Sequence, residues 1–74
     1  MDPILLHEFQ KNSKEIVRVE ISEYRGKKLL NIRTWFLNDE GQYLPSKKGI
    51  AVSVEKIPEL IDALKKAKEY LEES

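Results

Sequence analysis

The stretch Arg25-Gly-Lys-Lys-Leu-Leu-Asn-Ile-Arg-Thr-Trp-Phe-Leu37 decides the fold. It opens on a basic turn built around Gly26 and continues into the longest strand-like run of the chain. Successive strand side chains point to opposite faces, so Leu30, Ile32 and Phe36 share one side while Asn31, Arg33 and Trp35 share the other. The first set makes a core. The second puts an amide, a guanidinium and an indole in a row, a costly pattern for a merely solvated surface. It suits a surface that grips something flat and anionic, such as a single-stranded nucleic acid.

Working back toward the start, Glu15 to Tyr24 alternates cleanly, with Val17, Val19 and Ile21 one way and Arg18, Glu20 and Ser22 the other. That is the pattern of a half-buried antiparallel strand rich in β-branched residues. Tyr24-Arg-Gly-Lys27 lies at hairpin distance, and Gly26 supplies a positive φ at no steric cost. Before it, Lys11-Asn-Ser-Lys14 is a polar turn, preceded by a short edge segment over Ile4 to Gln10. Its one histidine, His7, has no cysteine or second histidine to join it.

Working forward, Asn38-Asp-Glu-Gly41 is a second turn and Gln42 to Leu44 a brief extended piece. Pro45-Ser-Lys-Lys-Gly49 is expected as a basic loop, and Ile50, Val52 and Val54 mark a last strand. The period then changes. Ile57, Leu60, Ile61, Leu64, Ala67 and Leu71 follow the three-and-four spacing of a helix face. Ser53 is the expected N-cap. An irregular first turn should precede a regular helix from Pro58, in the first-turn position that proline tolerates. Asp62 and Lys66 are spaced for a helical ion pair.

The expected architecture is α+β: an antiparallel sheet over residues 15–54, an edge segment within 1–10, and one C-terminal helix over 57–72. All lie in one domain spanning 1–74. The helix is expected to cover the apolar sheet face and leave the other open. A chain of 74 residues without cysteine has little core and no disulfides, so oligomerisation is the remaining common stabiliser and a homodimer is expected.

Charge is uneven although it sums to zero. Residues 11–48 hold nine basic groups against five acidic ones, a surplus of four, and each flanking segment has a deficit of two. Such asymmetry localises a field despite a neutral total. No apolar run approaches the roughly 20 residues of a membrane span, and Ile4-Leu5-Leu6 lacks the preceding positive charge of a secretory leader. A cytoplasmic or nucleoid location is expected, or a nuclear one if the source is eukaryotic.

No catalytic constellation, phosphate-cradling glycine loop or metal-ligand cluster is present, so no enzymatic role, metal or cofactor is expected. Binding is the better reading. Single-strand binders combine rings on which bases stack with cations that follow the backbone. Trp35 and Tyr24 are the candidate rings. Arg18, Arg33, Lys27, Lys28, Lys47 and Lys48 are the candidate cations, and the two lysine pairs would line a groove around Arg33 and Trp35. Against this stand a core or interface role for Trp35 and Phe36, a turn-packing role for Tyr24, and a cross-strand pair of Arg33 with Glu20. A protein-interaction module using the aromatic face is the alternative function. Duplex readout lacks a recognition helix, because the one long helix is expected to spend its regular stripe on the core and its outer face mixes Lys with Glu.

Taken together, Tyr24-Arg-Gly-Lys27, Leu30-Asn-Ile-Arg33 with aromatics directly after it, Gly41-Gln-Tyr-Leu-Pro45 and Lys47-Lys-Gly-Ile50 running into a helix resemble the positive cofactor four family of transcriptional coactivators. The resemblance spans roughly residues 9–65. It implies a four-stranded antiparallel sheet followed by one helix, paired into a homodimer through helices and sheet edges, with an open, curved sheet face. It implies channels for single-stranded DNA or melted duplex, RNA being a related ligand, in the setting of transcription or replication. By position Tyr24, Arg25, Lys27, Arg33, Trp35, Lys47 and Lys48 match the family's contacts. An aromatic is also common one place later, which implies Phe36 against its parity. Leu44 stands where a basic residue is common, Ser46 where glycine is common, and Ser22 where a basic residue can occur. The family's Ser/Lys-rich regulatory tail has no counterpart, which implies a minimal version.

Overall fold

In the computed structural model, which describes residues 2–73, four strands run in sequence order as an antiparallel meander. They are β1 (Ile4–Asn12), β2 (Glu15–Tyr24), β3 (Lys27–Leu37) and β4 (Tyr43–Ser53). A 3-10 turn, Val54–Lys56, leads directly into the helix α1, Ile57–Glu73. The turns carry the chemistry expected of them. Tyr24 pairs with Lys27 across Arg25 and Gly26, which adopt φ of 52° and 79°. Two positive φ values in a two-residue loop match the right-handed twist of the flanking strands. In the next turn Asn38 Oδ1 accepts from the amides of Glu40 and Gln42, both at 2.9 Å, and Gly41 takes φ 82°.

The register confirms the alternation. Leu30, Ile32 and Thr34 of β3 lie opposite Ile21, Val19 and Val17, and Leu30 and Ile32 also face Val52 and Ile50. This is the apolar face. Asn31, Arg33 and Trp35 lie opposite Glu20, Arg18 and Ile16 on the other face.

Three expectations are revised. The edge segment is a full strand of nine residues, longer than the short piece ending at Gln10, because Gln10 and Asn12 side chains satisfy the turn that follows. The brief extended piece, basic loop and last strand are one strand, β4, which carries an irregularity between its pairings with Arg33 and Trp35. Pro45 is tolerated there because β4 is an edge strand.

The third revision concerns the helix. Ser53 caps the 3-10 turn as expected, accepting from the Glu55 amide at 3.4 Å, and Pro58 sits in the first turn of α1. The helix, however, does not cover the apolar face of its own sheet. None of its residues is buried, and Ile61 and Leu64 are 47% and 60% exposed. Only three residues, wound into a 3-10 turn, separate β4 from α1, and in this conformation the helix packs on that turn and not on the strands. The 3-10 turn itself lies against β3, beside the buried Leu30. Among the described residues only Ile16, Leu30 and Thr34 are buried, so a single copy has almost no closed core.

Candidate nucleic-acid interface

The polar face is built from the middle of β2 and β3. Arg18 stands opposite Arg33, one step along the ladder from Ile16 opposite Trp35. Two guanidinium groups face to face are unfavourable unless each is anchored elsewhere. Arg18 is anchored twice. Its Nε donates to Glu8 Oε1 at 3.0 Å, and its guanidinium carbon lies 4.4 Å from the Trp35 ring centroid. A cation over an indole at this distance is attracted by the ring quadrupole. Arg33 turns the other way, donating from Nη1 to the Ser46 carbonyl at 3.2 Å. Glu20 lies opposite Asn31, so the Arg33–Glu20 pairing considered from the sequence is not the one adopted. Asn31 instead donates to Ser22 Oγ at 2.7 Å.

The setting of Trp35 differs from the solvent-facing ring that alternation suggests. The residue is half-buried, Arg18 roofs its indole, and its Nε1 is closed off from solvent with no acceptor among the described residues. Phe36 points to the opposite, apolar face and is 39% exposed.

At one end of β3 the hairpin presents Tyr24, Arg25, Lys27 and Lys28, all exposed. The Arg25 guanidinium lies 5.2 Å from the Tyr24 ring centroid. Lys27 and Lys28, with Glu23, Ser53 and Glu55, line a half-open hollow of about 420 Å³ at the junction with the 3-10 turn. Toward the other end, Lys47 and Lys48 lie on the irregular stretch of β4 beside Arg33 and Thr34. Thr34 stands about six residues along β3 from Lys28, or roughly 20 Å at strand spacing. The two lysine pairs are therefore brought to separate stations along one strand, with Arg33, Arg18 and Trp35 close to the second.

Behind Lys48, on the apolar face, lies a shallow trough of about 390 Å³ floored by Val17, Ile32 and Ile50. Glu15 sits at the sheet end near these cations. A 2.7 Å hydrogen bond from Asn12 Nδ2 holds its carboxyl below the ordinary carboxylate value, outweighing the opposing effect of desolvation, with lesser help from Lys11 and Lys48.

Two participants escape a reading of the sequence. Glu8 is one: with Asn12 opposite Glu15, a regular hairpin would set it against Val19. A bulge between Gln10 and Asn12 shifts the ladder by one and brings it to Arg18. Ser46 is the other, since a serine in a loop-like, lysine-rich stretch signals nothing by itself. Among the described residues no cluster of three or more His, Asp or Glu side chains is placed to hold a metal, and no helix is long and apolar enough to cross a membrane.

Solved structures similar to this one share the whole architecture. A PC4 homologue from Burkholderia pseudomallei superposes with a TM-score of 0.83 at 22% identity, covering 90% of this chain and 98% of that one. The bacteriophage T5 homologue of the eukaryotic transcription coactivator PC4, implicated in recombination-dependent DNA replication, superposes with a TM-score of 0.79 at 26% identity. That match covers 97% of this chain and 83% of the phage protein. No curated protein sequence matches. Residues 11–63, from the end of β1 into the helix, match the model of the Transcriptional Coactivator p15 (PC4) family, and the chain belongs to that family of non-enzymatic, DNA-binding factors.

Proposed function

We propose that the chain binds single-stranded DNA without sequence preference, as a homodimer, in transcription or in replication and repair. One observation carries the reading: Trp35, Arg18 and Arg33 meet on one sheet face, with exposed lysine pairs at two stations along β3. Phosphates take the exposed cations, Arg25, Lys27 and Lys28 at the hairpin and Lys47 and Lys48 at β4. Bases take the π-surfaces. Guanidinium planes stack bases as rings do, so the Arg18–Trp35 pair is a composite platform, with Tyr24 as a second. Phe36 reaches the strand only around the sheet end, from the opposite face. None of these contacts reads a base edge, which is the basis for sequence tolerance.

The apolar half of the molecule supports the pairing. Ile50, Leu44, Phe36 and the helix residues Ile61 and Leu64 are all more than a third exposed. Large apolar side chains left open on both the sheet face and the helix mark an interaction site.

The test is a titration with oligo-dT and with an equal-length duplex, followed by the emission of Trp35, the only tryptophan, over several salt concentrations. Quenching, preference for the single strand and a steep loss of affinity with salt are expected, since bound lysines release counterions from the phosphates. Trp35→Ala should weaken binding by roughly 1–3 kcal/mol. Equal affinity for duplex, or none for either ligand, would sink the proposal.

A further inference from the structure

The irregular stretch of β4 is larger than an ordinary bulge. Gly49 pairs with Arg33 and Pro45 with Trp35, so Ser46, Lys47 and Lys48 together stand over Thr34 alone. A bulge leaves ladder groups without strand partners. Thr34 is buried, 8% exposed, so an unmatched carbonyl there would be costly. Both ends of the excursion are fixed. Proline locks φ at 45. At 49 a Cβ would lie 2.6 Å from the Ile32 carbonyl oxygen and 2.7 Å from Arg33 Cα, so only glycine permits this approach.

Ser46 closes what lies between. Its hydroxyl donates to the Thr34 carbonyl at 2.8 Å and accepts from the Lys48 amide at 3.1 Å. Its own carbonyl accepts from Arg33 Nη1 at 3.2 Å. One residue thus ties together the buried strand beneath, the backbone of one candidate phosphate-binding lysine, and the side chain of the central arginine. Neither glycine nor alanine could supply the two hydroxyl bonds.

We infer that Ser46 is a positioning residue of the nucleic-acid interface. Its hydroxyl holds the β4 excursion that presents Lys47 and Lys48, and its carbonyl aims Arg33. The inference rests on the single-strand binding proposed above. It assigns Ser46 no contact with the ligand. The residue acts through Lys48 and Arg33 by holding them within reach of phosphate, so that without it one of these contacts is lost in part.

The experiment measures oligo-dT affinity and its salt dependence for the wild type, Ser46→Ala and Ser46→Thr, alongside thermal unfolding and amide exchange at Lys48. Ser46→Ala should bind about fivefold more weakly, the equivalent of one net hydrogen bond. Its salt dependence should be shallower by up to about one phosphate contact. Ser46→Thr, which keeps the hydroxyl, should recover both. A purely structural role would lower the unfolding midpoint yet leave the salt slope of the folded protein unchanged, and that result overturns the inference. So does a Ser46→Ala protein that binds as the wild type does. Should Ser46→Ala fail to fold, the wild type decides: a Lys48 amide exchanging as fast as an open loop overturns the clamp, while protection supports it. Absence of any wild-type binding to oligo-dT is a different failure, that of single-strand binding itself.

Discussion

The guanidinium of Arg18 serves two neighbours at once, an acid on β1 and an indole on β3. Alternation in the sequence places Arg18 and Trp35 on a common face, because strand parity is fixed by backbone geometry. It does not say that one would lie on the other, since diagonal contact depends on register and rotamer. The choice of acid was hidden more deeply, in a bulge that moves Glu8 across the ladder. At this scale Glu15 offers a clean test. The Asn12 hydrogen bond, aided by Lys11 and Lys48, lowers its folded-state pKa. A carboxyl depressed on folding contributes stability that is fully present above its unfolded pKa and is lost as pH falls through the folded one. Asn12→Ala should therefore move the Glu15 carboxyl titration, followed by carbon-detected NMR, upward toward the ordinary value. It should also shift acid unfolding to slightly higher pH. An unchanged Glu15 titration in that variant would remove the hydrogen bond as the cause.

Among the elements, β2, β3 and α1 were legible because each repeats one period over ten or more residues. β4 was not. Its first half contains Pro45 and two lysines, and three of its residues stand over one of β3, so alternation breaks where the strand continues. A strand held by a side-chain clamp and a close backbone approach leaves no periodic trace. The approach makes its own prediction. A methyl group at position 49 would meet backbone atoms of Ile32 and Arg33, which cannot swing aside as a side chain tip can. Gly49→Ala should destabilise the fold by about 1–3 kcal/mol, the usual cost of forcing atoms into a packed site. Denaturant unfolding measures it, and a midpoint equal to wild type would mean that β4 can lift from β3 without penalty.

For the molecule as a whole, the apolar periodicity of α1 announced a buried face but not its partner. A stripe that fits its own sheet and one that fits another chain look alike in sequence; in the structure the stripe lies off its own sheet, with none of its residues buried. With almost no closed core in one copy, stability should depend on pairing. Light scattering should give twice the chain mass, and the unfolding midpoint should rise with protein concentration, as mass action requires of a folded dimer. Leu64→Asp, which sets a charge on the exposed stripe, should halve the measured mass or unfold the protein. A variant that stays paired and equally stable would place the contact elsewhere.

The short junction has a consequence for engineering. Lengthening it by several flexible residues would let the helix double back, so that each chain could shelter its own apolar sheet face. Exchange of an identical element between copies is governed by such connectors, and a longer one favours self-sufficiency. On the proposed pairing, a spacer at residue 54 should thus turn the dimer into autonomous units.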